Sequence, residues 1–312
     1  MSLKNVLVTD YVHPELLAGL KRMGFHSTYA PEMSREEMND ALADFDGVVI
    51  NTRCAIDRQA MEKAKKLKWI ARLGSGLDII DLVAAAELHI DVVSAPEGNA
   101  QAVAEHAMGM LLSLSNKIIS ADQSVRTGNW LREDHRGWEI AGKTIGIIGH
   151  GNNGSAFGRL WKGWEVRVLA YDKYLESYGT ANVQETDLDT LLAESDIISL
   201  HLPLTSETNE MVNASFLSGC KKGCVLINTS RGKIVDLRAL ADGLHSGQVA
   251  GACLDVFPYE PPGNGPDTFK QTFREICDSD RVVLSPHVAG WTIESKKKIA
   301  HILLQKINSL VL

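Results

Sequence analysis

Gly149, Gly151 and Gly154 stand in the spacing GxGxxG, and Asp172 follows the third glycine by 18 residues. The run before them, Thr144–Ile148, is apolar and suits a buried strand, and a helix can begin near Asn153. Strand, glycine turn and helix in that order fit a nucleotide diphosphate. Gly149 permits the tight turn, Gly151 lets the backbone approach a pyrophosphate, and Gly154 lets the helix pack on the sheet. The free N–H groups at the helix start attract the anion. Asp172 can accept hydrogen bonds from ribose hydroxyls, and its charge would repel a 2′-phosphate, so the pattern favours NAD over NADP. Asn153 stands where an apolar residue is usual, which bears on helix packing and not on the phosphate turn.

A second constellation lies further on. In open parallel sheets, ligands sit beyond the carboxyl ends of the strands. The run Val225–Asn228 leads into Thr229, Ser230 and Arg231; Gly251–Val256 leads to Glu260; Val282–Leu284 leads into Ser285, Pro286 and His287. An Arg, a Glu and a His at three strand ends suit reduction of a 2-keto acid. The carbonyl oxygen gains negative charge as hydride arrives, so a proton donor is needed, and an imidazolium supplies one at neutral pH. Glu260 would hold the other ring nitrogen and stabilise the protonated form. Arg231 has the fork geometry for a carboxylate and a carbonyl oxygen. Each residue alone has a structural explanation; their joint placement carries the reading.

These residues need a frame. Apolar runs read as strands over Asn5–Thr9, Gly47–Asn51, Trp69–Leu73 and Asp91–Ser94, and again over Thr144–Ile148, Glu165–Ala170, Ile197–Leu200, Val225–Asn228, Gly251–Val256 and Val282–Leu284. They do not alternate with polar residues, as expected of parallel sheets covered on both faces. Helical stretches lie between them, at Pro14–Met23, Glu36–Ala43 and Arg58–Lys65, with the longest over Ala102–Ser120. Strand–helix alternation over 312 residues implies a doubly wound α/β architecture and two domains. Glu97–Asn99 reads as a hinge before the long helix. Pro258–Asp267, with four of the nine prolines, reads as a loop.

Composition narrows the function classes. Hydrophobic residues make up 45% and charged residues 23%, which excludes a disordered chain. The net charge of −7 argues against nucleic acid as a partner, so an anionic ligand must meet local positive charge. No apolar run reaches membrane-span length, and the opening residues lack a signal-peptide core. Five scattered cysteines without a CxxC pair read as reduced thiols in the cytoplasm, and the scattered histidines suggest no metal site.

Several segments, in order, resemble the D-isomer-specific 2-hydroxyacid dehydrogenases. They are ARLGSGLDIID at Ala71–Asp81, GNAQAVAEHA at Gly98–Ala107, the glycine turn, HLPLTSET at His201–Thr208, INTSRGKIVD at Ile227–Asp236, AGACLDVFPYEP at Ala250–Pro261 and LSPHVAGWT at Leu284–Thr292. The resemblance implies two Rossmann-like parallel-sheet domains with the active site in the cleft between them. A discontinuous substrate domain would span 1–98 and 290–312, and an NAD domain 99–289. It implies that Arg231, Glu260 and His287 are the catalytic residues. It places Ser75, Gly76 and Asn99 with Arg231 at the substrate carboxylate. It adds Asn152, Asn153, His201, Leu202, Pro203, Thr229, Ser230, Asp255 and Gly290 to the cofactor contacts. It also implies a homodimer formed through the cofactor domain. His106 is expected to be structural.

Within that family the segments look most like short-form phosphoglycerate dehydrogenases, the NAD-dependent enzymes of serine biosynthesis. Because the sequence stops at Leu312, a C-terminal regulatory domain and serine control through it are not expected. One departure bears on substrate. Asn51 stands where such enzymes usually carry Arg, and Arg53, two residues on, would point to the same side of a continuing strand. Arg53 is therefore the expected phosphate contact, with Arg132 and Arg136 as further basic groups. Reduction of glyoxylate, hydroxypyruvate or another 2-keto acid is the alternative. A non-catalytic NAD(H) sensor that binds protein partners is the alternative from another class, and the intact trio argues against it.

Overall fold

The computed structural model describes residues 4–311. These fall into two compact units, one running to Ala100 and resuming at Gly290, the other Gln101–Ala289. In chain order, the first part holds β1 (Lys4–Val8), α1 (Pro14–Arg22), β2 (Phe25–Tyr29), α2 (Arg35–Ala41), β3 (Gly47–Ile50), α3 (Arg58–Lys63), β4 (Trp69–Arg72), α4 (Leu82–Glu87) and β5 (Asp91–Ser94). Then come α5 (Pro96–Ser115), α6 (Ile118–Arg126), β6 (Thr144–Ile148), α7 (Asn152–Leu160), β7 (Arg167–Tyr171), β8 (Gln184–Glu185), α8 (Leu188–Glu194) and β9 (Ile197–Leu200). The rest is α9 (Ala214–Gly219), β10 (Cys224–Asn228), α10 (Leu237–Ser246), β11 (Val249–Leu254), α11 (Asp267–Cys277), β12 (Val282–Leu284) and α12 (Ile293–Val311).

Both sheets are parallel throughout. The first has the order β2-β1-β3-β4-β5, with Val6 of β1 opposite Ser27 on one side and Gly47 on the other. The second has the order β12-β11-β10-β9-β6-β7-β8. The apolar strand runs follow from this. On β1, Val6 and Val8 point to a core shared with Leu16 and Leu20 of α1 and with Leu303 and Ile307 of α12. Leu7 points to the opposite core, with Met38, Ile50 and Met61. In each sheet the order in which strands are added reverses once, at β1 in the first and β6 in the second. The crevice beyond a reversal point is where open α/β sheets hold ligands.

The structure corrects the sequence reading of several elements. β2 went unread because an edge strand of sequence FHSTY, buried only at Phe25, lacks a continuous apolar run. The two-residue β8 is too short to leave a pattern. Glu97–Asn99 lies in the first turn of α5, whose Pro96 is preset for the start of a helix, and the boundary between the two compact units follows at Ala100. The stretch read as one helix to Ser120 breaks at Lys117, which takes left-handed backbone angles (φ 51°) and starts α6. Among the described residues, no helix is long and apolar enough to cross a membrane.

Candidate active site

The glycine turn sits at the end of β6, the reversal point of the second sheet. Gly149 has φ 89°, and a Cβ there would run into the carbonyl oxygen of His201. A Cβ on Gly154 would strike the carbonyl oxygen of Gly149, whereas one on Gly151 would meet nothing within 4 Å. Two glycines therefore serve close packing, and the third leaves space open. Most helices of the fold begin on a side-chain cap, such as Asp187 for α8 and Asp236 for α10. Helix α7 instead has Gly151 at its cap position and no side chain on its first N–H groups. The hydroxyl of Thr229 is buried without a partner. An open cradle, uncapped N–H groups and a spare buried hydroxyl fit a dinucleotide.

Asp172 closes the turn from the end of β7. One carboxylate oxygen accepts the His150 N–H at 2.7 Å, and the other accepts the N–H groups of Tyr174 and Leu175 at 2.9 and 3.1 Å. The first oxygen keeps acceptor capacity for a hydroxyl. Tyr178, which sequence reasoning missed, steadies this end. Its hydroxyl accepts the Asp172 N–H at 2.9 Å and donates to the Ala170 carbonyl at 3.0 Å, while its ring stacks on His150 at 4.9 Å. A tyrosine in a polar loop leaves no signal in one sequence. On the other side of β6, His201 leads into Leu202 and Pro203. Its Nε2 lies 2.9 Å from Ser199 Oγ, and its Nδ1 is shut off from solvent although the residue as a whole is only partly buried. Burial pushes the His201 imidazole down to about 3, and the neighbouring His150 adds to this.

Loops after β10, β11 and β12 carry the trio. Asn228 shapes the first: its side-chain oxygen accepts the N–H and hydroxyl of Ser230, and its amide donates to the Arg231 carbonyl at 3.0 Å. Gly232 then lies so close to Phe257 that any Cβ would strike that backbone, which draws the first two loops together. In the second loop, one oxygen of Glu260 accepts the Phe257 N–H at 2.9 Å. The other is 2.6 Å from His287 Nδ1. Burial alone would raise the Glu260 carboxyl. The His287 and Phe257 hydrogen bonds, with the charges of His287 and Arg231, hold it below the usual carboxylate range. With Nδ1 committed to Glu260, Nε2 is the nitrogen that can exchange a proton. The structure thus brings Glu260 and His287 into contact, with Arg231 near enough to act on Glu260 by charge.

Asp255 is fully buried, and its carboxylate faces the His287 loop. It accepts the N–H groups of Val288 and Ala289, both at 2.9 Å.

Within the first unit, the hydroxyl of Ser75 donates to Asn99 Oδ1 at 2.8 Å. Gly76 follows Ser75 in the loop after β4, and Gly290 packs so closely on Asn99 that a Cβ would crowd its amide. Ser75, Asn99 and Gly290 are thus neighbours. Arg53 is differently placed from its expected role. Its guanidinium donates to the carbonyls of Thr9, Pro31 and Met33 and lies 3.8 Å from Asp10. It ties the strand ends of its own unit together. Arg132 and Arg136 are exposed, and Arg136 pairs with Glu133. Among the described residues, no group of three or more His, Cys, Asp or Glu side chains is placed to hold a metal.

Residues 108–289 match the sequence model of the D-isomer specific 2-hydroxyacid dehydrogenase NAD binding domain. D-3-phosphoglycerate dehydrogenase of Archaeoglobus fulgidus is 36% identical over 304 residues, covering 97% of this chain and 56% of that protein. The chain therefore spans little more than half the length of that relative. Hydroxypyruvate reductase of Thermotoga maritima is 35% identical over 275 residues, 88% of each protein. The solved D-lactate dehydrogenase of Aquifex aeolicus, complexed with NAD and lactic acid, superposes with a TM-score of 0.84 at 27% identity, covering 99% of this chain and 95% of that one. Sequence, fold and site converge: this chain belongs to the D-isomer specific 2-hydroxyacid dehydrogenases and carries the family's NAD-binding domain.

Proposed function

We propose that the protein transfers hydride between NAD and a D-2-hydroxy acid, with D-3-phosphoglycerate and its keto acid, an intermediate pair of serine biosynthesis, as the substrates. The observation that carries the reaction class is the 2.6 Å pair of His287 and Glu260. The reduced cofactor, when bound, supplies the hydride. The protein's residues do the rest. His287 gives the proton on Nε2 to the carbonyl oxygen as charge develops there. Glu260 orients the ring through Nδ1 and offsets its positive charge. Arg231 holds the carboxylate and polarises the carbonyl. Asp172 selects the nucleotide without a 2′-phosphate. The name of the Archaeoglobus fulgidus relative supports the phosphorylated substrate.

A second substrate reading, an unphosphorylated 2-keto acid such as glyoxylate or hydroxypyruvate, is favoured by Arg53. That guanidinium is spent on three carbonyls and faces Asp10, which leaves it poorly disposed toward a phosphate. Steady-state oxidation of NADH with phosphohydroxypyruvate, hydroxypyruvate and glyoxylate separates the two. A higher kcat/KM for the phosphorylated acid supports the first reading. Equal or lower efficiency with it removes the case for a phosphate site. NADH binding with no turnover on any of the three contradicts the enzyme reading and favours a sensor.

We also propose that the protein acts as a homodimer in the cytoplasm. Helix α6 and the segment after it support this, because Ile118, Ile119, Val125, Trp130 and Leu131 all stand exposed. Sedimentation equilibrium should give twice the chain mass, and Trp130→Asp should shift it toward the monomer. A wild-type monomer at micromolar concentration would contradict the dimer.

A further inference from the structure

We propose that His106 and Ser285 are positioning residues that hold the His287 loop in its working conformation through the carboxylate of Asp255. This rests on the reading of His287 as the proton donor. His287 has φ 56°, a left-handed conformation that a non-glycine residue keeps only when its surroundings impose it. Three consecutive N–H groups impose it here. That of His287 donates to the Asp255 carbonyl at 2.7 Å, that of Val288 to Asp255 Oδ1 and that of Ala289 to Asp255 Oδ2. The loop is therefore shaped by one buried aspartate, and whatever fixes its carboxylate plane fixes the loop.

Ser285 and His106 fix that plane. The Ser285 hydroxyl donates to Asp255 Oδ1 at 2.5 Å, and His106 Nε2 lies 2.8 Å from the same hydroxyl oxygen. A serine has one hydroxyl hydrogen. The Asp255 carboxylate takes it in preference to the Met110 sulfur, 3.7 Å from the same oxygen. The His106–Ser285 bond must then be donated by His106, which assigns the proton to Nε2. The chain runs from the His106 N–H to the Ser285 oxygen and from the Ser285 O–H to Asp255. His106 is held on α5, a long helix that comes from a distant part of the sequence, and its side chain is 28% exposed beside an Asp255 that is 1% exposed. Released from His106, the Ser285 hydroxyl can rotate, the carboxylate can turn, and the backbone at His287 is free to leave its left-handed angles. Neither residue touches the reacting atoms; both act through the loop.

The test uses His106→Phe, which keeps a ring but no donor, His106→Gln, whose amide N–H₂ replaces the lost donor, and Ser285→Ala. The cofactor-free protein is first measured by hydrogen exchange. In His106→Phe and Ser285→Ala, the amides of His287, Val288 and Ala289 should exchange about tenfold faster or more, and in His106→Gln near the wild-type rate. Kinetically, the first two variants should lose about tenfold or more in kcat, with KM for NADH within about twofold of wild type, because a displaced proton donor slows chemistry without weakening the nucleotide site. His106→Gln should recover most of kcat. The double variant His106→Phe/Ser285→Ala should be no worse than the poorer single one, since both cut the same chain.

Unchanged exchange of the three amides in His106→Phe overturns the proposal. So does a lowered Tm with kcat unchanged, or losses in kcat that add in the double variant. Failure of the enzyme reading looks different: the wild-type protein then turns over no 2-keto acid, while the exchange measurement still decides whether His106 holds the loop.

Discussion

At the scale of single residues, the site divides into groups that do chemistry and groups that aim them. In the proposed reaction His287 is the proton donor, so His287→Ala should lower kcat for keto-acid reduction by ~10²–10⁴ while the protein still binds NADH. Steady-state kinetics beside a fluorescence titration with NADH check both halves. Asp172 belongs to the aiming groups. Its carboxylate ties the turn to β7 through the His150 N–H, and in the proposed function its charge is what repels a 2′-phosphate. Asp172→Ala should therefore weaken NADH and narrow its advantage over NADPH, read as the ratio of kcat/KM for the two cofactors. A ratio unchanged from wild type would discredit the ribose assignment. Both sets of residues were legible in the sequence because each follows an apolar strand run, and a strand end fixes position. The Tyr178 latch and the Asp255 contacts were not. They depend on which loops meet in space, and no spacing along the chain records that.

At the scale of elements, the three glycines of the turn make different demands, and these can be separated. Gly154 is packed against the Gly149 carbonyl, so Gly154→Ala should destabilise the unit and lower Tm. Gly151 has φ −71° and open space in the direction of a Cβ, so Gly151→Ala should fold with a near-wild-type Tm. It should nonetheless lose NADH affinity by about tenfold or more, because a methyl group occupies the approach to the diphosphate. Calorimetry and a binding titration on the two variants test this division. Loss of stability without loss of binding in Gly151→Ala would contradict it. Strands buried on both faces, such as β6 with four of its five residues buried, were readable as apolar runs. The edge strand β2 was not, because exposed positions carry no such constraint, and the break at Lys117 leaves the helical pattern of α5 and α6 continuous across it.

At the scale of the whole molecule, two sheets of related winding order share one chain, and their stability is linked to pH through buried titratable groups. His201 governs part of the acid side. Burial depresses its folded-state value from 6.5 to about 3. Above pH 6.5 the ring is neutral in both states and costs nothing. As pH falls from 6.5 toward 3, the unfolded chain binds a proton that the folded ring refuses, so stability declines. The slope for one such group is at most about 1.4 kcal/mol per pH unit. Urea denaturation at a series of pH values should show this acid limb in the wild type and a shallower one in His201→Leu. Identical slopes would contradict the burial of a neutral ring.

In the proposed reaction Glu260 holds a protonated His287 ready to meet the carbonyl oxygen, and the pH profile of keto-acid reduction by Glu260→Gln tests this most directly. Against the upward push of burial, the Glu260 carboxylate is drawn below its ordinary range by hydrogen bonds from His287 and Phe257 and by the charges of His287 and Arg231. Neutralising it should lower kcat less than His287→Ala does and should move the alkaline loss of activity to lower pH. An alkaline limb at the wild-type position would show that the two residues share no proton-holding role.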